Sequence, residues 1–268
     1  MESLGYRISA VNDALTSENR IHSDDIARKY GFTGALVSGV SVFGYLTRPL
    51  VAAIGQSWFR GTVADVRFLK PAYEGDLLDI RLQPLQAGQS DHCQVVVRNP
   101  GGVILAQLDS HGPEIMEPPD PMIDLPPANC APARPEISWN LVEPGVAAPR
   151  YEFVVDADLQ QKALDLMRDD LDLYARDENP PVHPYLLLKE CNQALMRMFI
   201  LPAWIHVGSR LVLREPLTVG EVCEVITVPI EKWQRKGHQF IRLYIAFRGS
   251  HGIALEVYHT AIFKIAGN

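Results

Sequence analysis

The sequence predicts an α+β protein made of two tandem copies of one domain, each a buried helix wrapped by a curved antiparallel sheet. Three observations predict it. An apolar helical stretch occurs in each half, at 39–54 and 180–199. Each is followed by about four runs of strand character separated by turn signals. Landmarks also repeat in near-constant register. Pro71-x-x-x-Gly75-Asp76 and Pro216-x-x-x-Gly220-Glu221 lie 145 residues apart, as do Ser38-Gly39 and His183-Pro184, while the hairpin glycines Gly102 and Gly252 lie 150 apart. This divides the chain into an N-terminal domain (1–112), a linker (113–149) and a C-terminal domain (150–268).

Taken in order, 5–11 is a short strand and 12–22 a polar loop. Ser23 is placed to N-cap a short helix, with Asp24 and Asp25 in its positive first turn and Gly31 closing it as the C′ residue. Residues 39–54 are apolar on nearly every side, which predicts a buried helix, and Pro49 predicts an end or kink near Thr47. Strands follow at 63–69, 76–82, 92–98 and 103–109, broken by the turns KPAYEGD, QAGQSD and NPGG. The linker holds ten of the chain's twenty prolines, too many for regular structure, and reads as a semi-rigid segment laid over the surface. The second copy reads strand 151–157, helix 157–177, apolar helix 180–199, then strands at 204–213, 221–230, 239–247 and 253–265. In outline this is a double hotdog.

Composition narrows the function. At 47% hydrophobic and 21% charged residues, 268 residues suffice for one large or two modest cores. A net charge of −7 argues against a nucleic-acid partner bound through bulk charge. No apolar stretch approaches the ~18 residues of a membrane span, and the first residues lack a signal-peptide pattern. Four scattered cysteines (Cys93, Cys130, Cys191, Cys223) without a CxxC fit lone thiols in a reducing cytoplasm. Histidines without HExxH-like spacing give no support for a metal.

Candidate chemistry concentrates in 14–46. It reads Leu15-Thr16-Ser17-Glu18-Asn19-Arg20-Ile21-His22, then Gly34-Ala35-Leu36-Val37-Ser38-Gly39, and later Arg67-Phe68-Leu69-Lys70-Pro71 through Gly75-Asp76. These phrases resemble the MaoC-like (R)-specific enoyl-CoA hydratases and 3-hydroxyacyl thioester dehydratases in their double-hotdog form. A subgroup is further matched by Trp204-Ile205-His206-Val207-Gly208-Ser209 and Lys236-Gly237-His238. The resemblance implies an acyl-thioester substrate, with coenzyme A or phosphopantetheine as part of it and no separate cofactor. It makes His22 the acid/base, Asn19 its neighbour orienting water or loop, and Gly39 N–H half an oxyanion hole at the helix start. Ser38 lines the pocket or caps the helix, and His183 matches the family's helix-opening histidine, although Pro184 has no N–H to offer beside it.

The chain also departs from the family. Its Asp position is Ser17, its Pro position Arg20 and its second His position Ser38, while register sets Met167 opposite His22. A serine hydroxyl is no base near neutral pH without an activating partner. Glu18, Asp24 and Asp25 are the candidate replacement carboxylates, and equally a solvated acidic cluster; Glu18 is the choice among them. His206 and His238 read as satisfied structural histidines, and Arg67, Lys70, Arg214 and Lys236 as candidates for the carrier's phosphates. Losing one member of an acid–base pair costs ~10²–10⁴ in rate, which sets an expectation of weak turnover. The alternatives are a degenerate binding protein or subunit for acyl thioesters, and a hotdog thioesterase. The latter wants a carboxylate on the buried helix, where Glu190 is the candidate, expected on the exposed face. A monomer and a homodimer of double units both stay open.

Overall fold

The computed structural model describes residues 4–83, 92–113, 115–128, 134–175 and 178–266. The turn at 86–91 and Cys130 lie outside the described residues. The first half runs β1 (Gly5–Ser9), α1 (Asp24–Lys29), α2 (Gly39–Ile54), β2 (Thr62–Phe68), β3 (Leu77–Gln83), β4 (His92–Arg98) and β5 (Ile104–His111). The second runs β6 (Tyr151–Val154), α3 (Ala157–Met167), α4 (Pro184–Met198), β7 (Ile205–Leu213), β8 (Val222–Arg235), β9 (His238–Gly249) and β10 (Gly252–Lys264).

All ten strands form one antiparallel sheet in the order β1-β3-β4-β5-β2-β7-β10-β9-β8-β6. Each half contributes five strands, and β2 pairs with its own copy β7 to join them. In that seam Asp65 faces Arg210, its register mate 145 residues on, so a pseudo-twofold axis passes between them. In a dimer of identical chains a residue on the axis meets itself, and a carboxylate there would repel its copy. The two unlike halves set an acid against a base at 3.4 Å instead, worth little at this exposure. The halves share one core, in which α2 and α4 pack together inside the curved sheet.

The repeat extends to individual hydrogen bonds. Gly75 N–H donates to Ala10 O at 2.9 Å, and Gly220 N–H to Val155 O at 2.8 Å. Val37 N–H meets Ala72 O and Val182 N–H meets Leu217 O, both at 2.8 Å. Gly75 and Gly220 both adopt positive φ, 80° and 86°, which a side chain disfavours and which explains why the turn is spelled with glycine twice.

Several local expectations are corrected. The first strand stops at Ser9 rather than residue 11. Ser23 precedes α1 but its hydroxyl donates to Arg20 O at 2.7 Å instead of capping the helix. Helix α2 passes through Pro49 to Ile54. Pro49 cannot donate to Tyr45 O, and the Tyr6 hydroxyl from β1 fills that vacancy at 2.8 Å, so the helix survives. The helix expected over 157–177 ends at Met167, where Arg168 turns left-handed at φ 50° and directs Asp169 inward. The linker is packed more closely than a surface spacer. It contains 3₁₀ turns at Pro121–Asp124 and Trp139–Leu141, buries Val142 and Ala147, and covers the outer face of β8 and β9 with Met122, Ile123 and Leu125. Its attachment includes Asp120 N–H on the buried Glu256 carboxylate at 2.8 Å. No helix among the described residues is long and apolar enough to cross a membrane.

Candidate active site

The polar loop, the start of α2 and the C-terminal half meet at a two-lobed cleft. Asn19 fixes the junction. Its Oδ1 accepts Trp204 N–H at 3.0 Å and Ile21 N–H at 3.3 Å, while its Nδ2 donates to Trp204 O at 3.0 Å. Two donors on one side and a carbonyl on the other leave a single orientation for the amide. Asn19 thus latches two segments 185 residues apart. Its Nδ2 also lies 3.3 Å from His22 Nε2.

His22 Nδ1 stands 2.7 Å from Leu36 O. A carbonyl only accepts, so Nδ1 carries the proton and Nε2 is the basic nitrogen. Burial lowers the His22 pKa from its ordinary value, partly offset by the Leu36 hydrogen bond and the Asp13 carboxylate. A neutral imidazole with its lone pair on Nε2 is therefore the resting form at neutral pH.

Ser17 Oγ accepts Asn19 N–H at 3.2 Å, so the serine keeps a turn-making acceptor without a charge. Ser38 precedes α2, lines both lobes and makes no side-chain cap bond. No protein acceptor or cap among the described residues engages the Gly39 N–H, which opens a 16-residue helix and carries its share of the positive end. A Cβ on Gly39 would meet the Phe68 ring at 3.2 Å, so glycine also serves close packing there.

Of the candidate carboxylates, Glu18 lines the polar lobe and is clamped by Arg134 from the linker at 3.0 and 3.1 Å. Asp24 accepts Ala35 N–H at 2.8 Å and pairs with Arg28, and Asp25 pairs with Arg20, all at the surface. None of these three bonds His22. The carboxylate whose charge acts on His22 is Asp13, which sequence reasoning passed over. It lines the polar lobe, accepts Ser41 Oγ from α2 at 2.6 Å and the Tyr185 hydroxyl at 2.5 Å, and lies 3.4 Å from Lys189 Nζ. Burial, then Asp13, hold the Tyr185 phenol well above its ordinary pKa.

His183 is not brought to the cleft. It is fully buried, its Nδ1 accepts Tyr185 N–H at 3.2 Å, and its Nε2 faces Asp169 at 3.2 Å. Glu190 is buried rather than exposed, because the Tyr151 hydroxyl donates to it at 2.8 Å, and it lines neither lobe. His238 accepts Ala266 N–H at 3.0 Å, a structural contact. His206 is buried in a structural hydrogen-bond chain: its Nε2 bonds Ser209 Oγ, which also bonds His259 Nδ1, and the Gly208 backbone acts on the same ring, while the residue also lines the apolar lobe. Of the phosphate candidates, Lys70 lines the apolar lobe and Arg214 is bound to Glu256. Cys93, Cys191 and Cys223 are free thiols, the last two buried.

The inner lobe has a volume of about 230 Å³ and is walled by Ile21, Phe32, Leu36, Val42, Phe68 and Ala106. The outer lobe, about 290 Å³, is polar, with Arg134, Lys189 and Arg197 among its residues. Asn19, His22, Ser38, Asn192 and Trp204 line both. An apolar lobe joined to a polar one in which Arg134, Lys189 and Arg197 are set against Glu18, Asp13 and Glu190, with a base and an open amide beside the junction, suits a molecule with an apolar end and a polar end. Among the described residues no cluster of side chains could hold a metal ion.

No family model matches the chain, and no curated protein matches it by sequence. Solved structures do. One is described as a MaoC domain protein dehydratase from Chloroflexus aurantiacus, with TM-score 0.64 and 12% identity over 99% of this chain and 95% of that one. A conserved hypothetical protein of Mycobacterium tuberculosis with a double hotdog fold has TM-score 0.63 and 10% identity over 96% of both chains. A protein described as a thioesterase from Novosphingobium aromaticivorans scores 0.52 at 15% identity, over 97% and 96%. The chain has the double-hotdog fold, and solved MaoC-like dehydratases share it across nearly its whole length.

Proposed function

We propose that the chain is a lyase acting on an acyl thioester, adding water to a 2-enoyl group or removing it from a 3-hydroxyacyl group. One observation carries the proposal: the basic His22 Nε2 and the unpartnered start of α2 border one cleft between the halves. In hydration, Nε2 takes a proton from water as its oxygen bonds to C3. The electron pair of the double bond moves toward the thioester oxygen, where Gly39 N–H and the helix end stabilise it. The imidazolium then returns its proton to C2, and dehydration reverses these steps. Asp13 supplies the negative charge that favours the imidazolium in place of the family aspartate. The apolar lobe takes the acyl chain, and Arg134, Lys189 and Arg197 face the coenzyme A or phosphopantetheine side.

A second reading, thioester hydrolysis, draws on Asp13 standing against Ser41 of the buried helix. The assay that separates them follows two products from one enoyl-CoA. Loss of enoyl absorbance without thiol release supports the lyase; thiol release supports the hydrolase; binding without either supports a degenerate binder.

A further inference from the structure

Asp13 is tied to His22 by the backbone as well as by charge. Its neighbour Asn12, 5% exposed, donates from Nδ2 to His22 O at 3.2 Å and accepts Ala14 N–H on Oδ1 at 3.2 Å. The segment carrying the carboxylate is thereby fixed to the segment carrying the base. Both Asp13 oxygens are occupied. Oδ1 accepts Ser41 Oγ–H at 2.6 Å, while Oδ2 accepts the Tyr185 hydroxyl at 2.5 Å and lies 3.4 Å from Lys189 Nζ. Lys189 Nζ also donates to the Tyr185 oxygen at 2.7 Å. With both oxygens engaged, Asp13 is built to act on His22 as a fixed charge rather than as a second base.

The partners come from two helices that pack together. Ser41 lies on α2; Tyr185 and Lys189, four residues apart, share one face of α4. The repeat sets Val40 and Gly44 opposite Tyr185 and Lys189, and Leu186 opposite Ser41, so the symmetry-related positions cannot build the same network. We propose that Tyr185 and Lys189 are positioning residues for the reaction at His22: supplied by the second half, they hold the Asp13 carboxylate in place, and the Lys189 ammonium sets how much of its charge reaches the base. The consequence for turnover rests on the lyase reading, whereas the coupling itself belongs to the ligand-free chain. The other charged groups of this region are matched or set apart. Arg134 clamps Glu18, Arg20 pairs with Asp25 and Arg28 with Asp24, Glu74 takes Asn12 N–H, and Lys70 and His206 line the apolar lobe. Removing the ammonium therefore leaves an uncompensated carboxylate near the imidazole and favours its protonated form.

The test follows the His22 ring proton by NMR from about pH 4 to 8 in the ligand-free chain, with His22→Gln identifying the signal. Lys189→Met is expected to raise the titration midpoint by about half a pH unit, Lys189→Arg to restore it, and Asp13→Asn to lower it. Lys189 is partly exposed, so its variants disturb the core least. The acid limb of the rate–pH profile with crotonyl-CoA is expected to move with the midpoint. Tyr185→Phe is expected to lower kcat about 10-fold at unchanged KM, because it loosens Asp13 without removing a substrate contact. A midpoint equal in Lys189→Met and the unsubstituted chain overturns the inference, as does a shift that arginine leaves standing. An unchanged kcat in Tyr185→Phe overturns the part assigned to the phenol. Midpoints that move as expected in a chain that turns over no enoyl thioester contradict the lyase reading alone.

Discussion

The two halves begin their buried helices with the same backbone and opposite chemistry. Val37 and Val182 make matching hydrogen bonds to Ala72 and Leu217, and Ser41 and Leu186 both donate to the residue before the helix. In the first half the helix opens with Gly39, and its N–H is unpartnered. In the second it opens with Pro184, which has none, and His183 Nδ1 takes the next N–H, that of Tyr185. Where the first half places His22 on a cavity wall, the second places Met167, which packs onto Gly44 so closely that a Cβ there would overlap its sulfur. Asp169 and Tyr174 close over His183. Among the described residues the entrance at α2 is open and that at α4 is filled, and the second half walls the open one through Asn192, Trp204 and His206.

That contrast can be broken from either side. Asp169→Ala leaves His183 buried without its carboxylate and takes one of Arg48's two partners, Asp170 remaining; a loss of about 3–5 kcal/mol in urea unfolding is expected, without change in the chemistry at His22. Gly39→Pro gives the first half the second half's opening. Proline is tolerated at a helix start, so the fold is expected to hold while turnover falls about 10²–10³-fold. Gly39→Ala, which adds the same Cβ against Phe68 but keeps the N–H, is the control and should lose far less.

The two walls differ in acid response too. Burial pushes His259 down to about 3 and His206 well below its ordinary value, so the unfolded chain binds more protons as pH falls below ~6.5. The His259 share of stability is full above that pH and drains toward pH 3 by about 1.4 kcal/mol per pH unit, and burial gives His206 a loss of the same sign. Denaturant midpoints across pH 7 to 4 measure it, and His259→Gln should flatten the slope. The smallest effect expected is Tyr6→Phe. It strips the hydroxyl that covers the carbonyl freed by Pro49 and should cost about 1–2 kcal/mol by thermal unfolding.

The fold was legible because its turns demand particular residues. Gly75 and Gly220 need positive φ, and the carboxylates Asp76 and Glu221 each accept an N–H three residues back, so the two turns had to be written alike. The loop side of the cleft was legible because its lining residues Ser17, Asn19, His22, Ser38 and Gly39 lie in two short segments near one another in the chain. The opposite wall was not. Lys189, Asn192 and Trp204 reach the cleft through the joining of the two halves, by the pairing of β2 with β7 and the packing of α2 on α4, and no spacing in a linear sequence reports that contact. Asp13 gave no signal because it lies outside the family phrase, although a carboxylate just after the first strand and near the missing aspartate was there to be weighed. Pro49 misled because the tyrosine that rescues its helix lies 39 residues before Tyr45.

The central claim is that the open entrance performs acid–base chemistry on an enoyl thioester through His22. Its most direct test follows loss of enoyl absorbance with crotonyl-CoA and a medium-chain enoyl-CoA, for the unsubstituted chain and for His22→Ala. The account predicts turnover that the substitution lowers by about 10²–10⁴-fold without loss of folding. Equal rates in both proteins, or no turnover of either thioester by the unsubstituted chain, would contradict it.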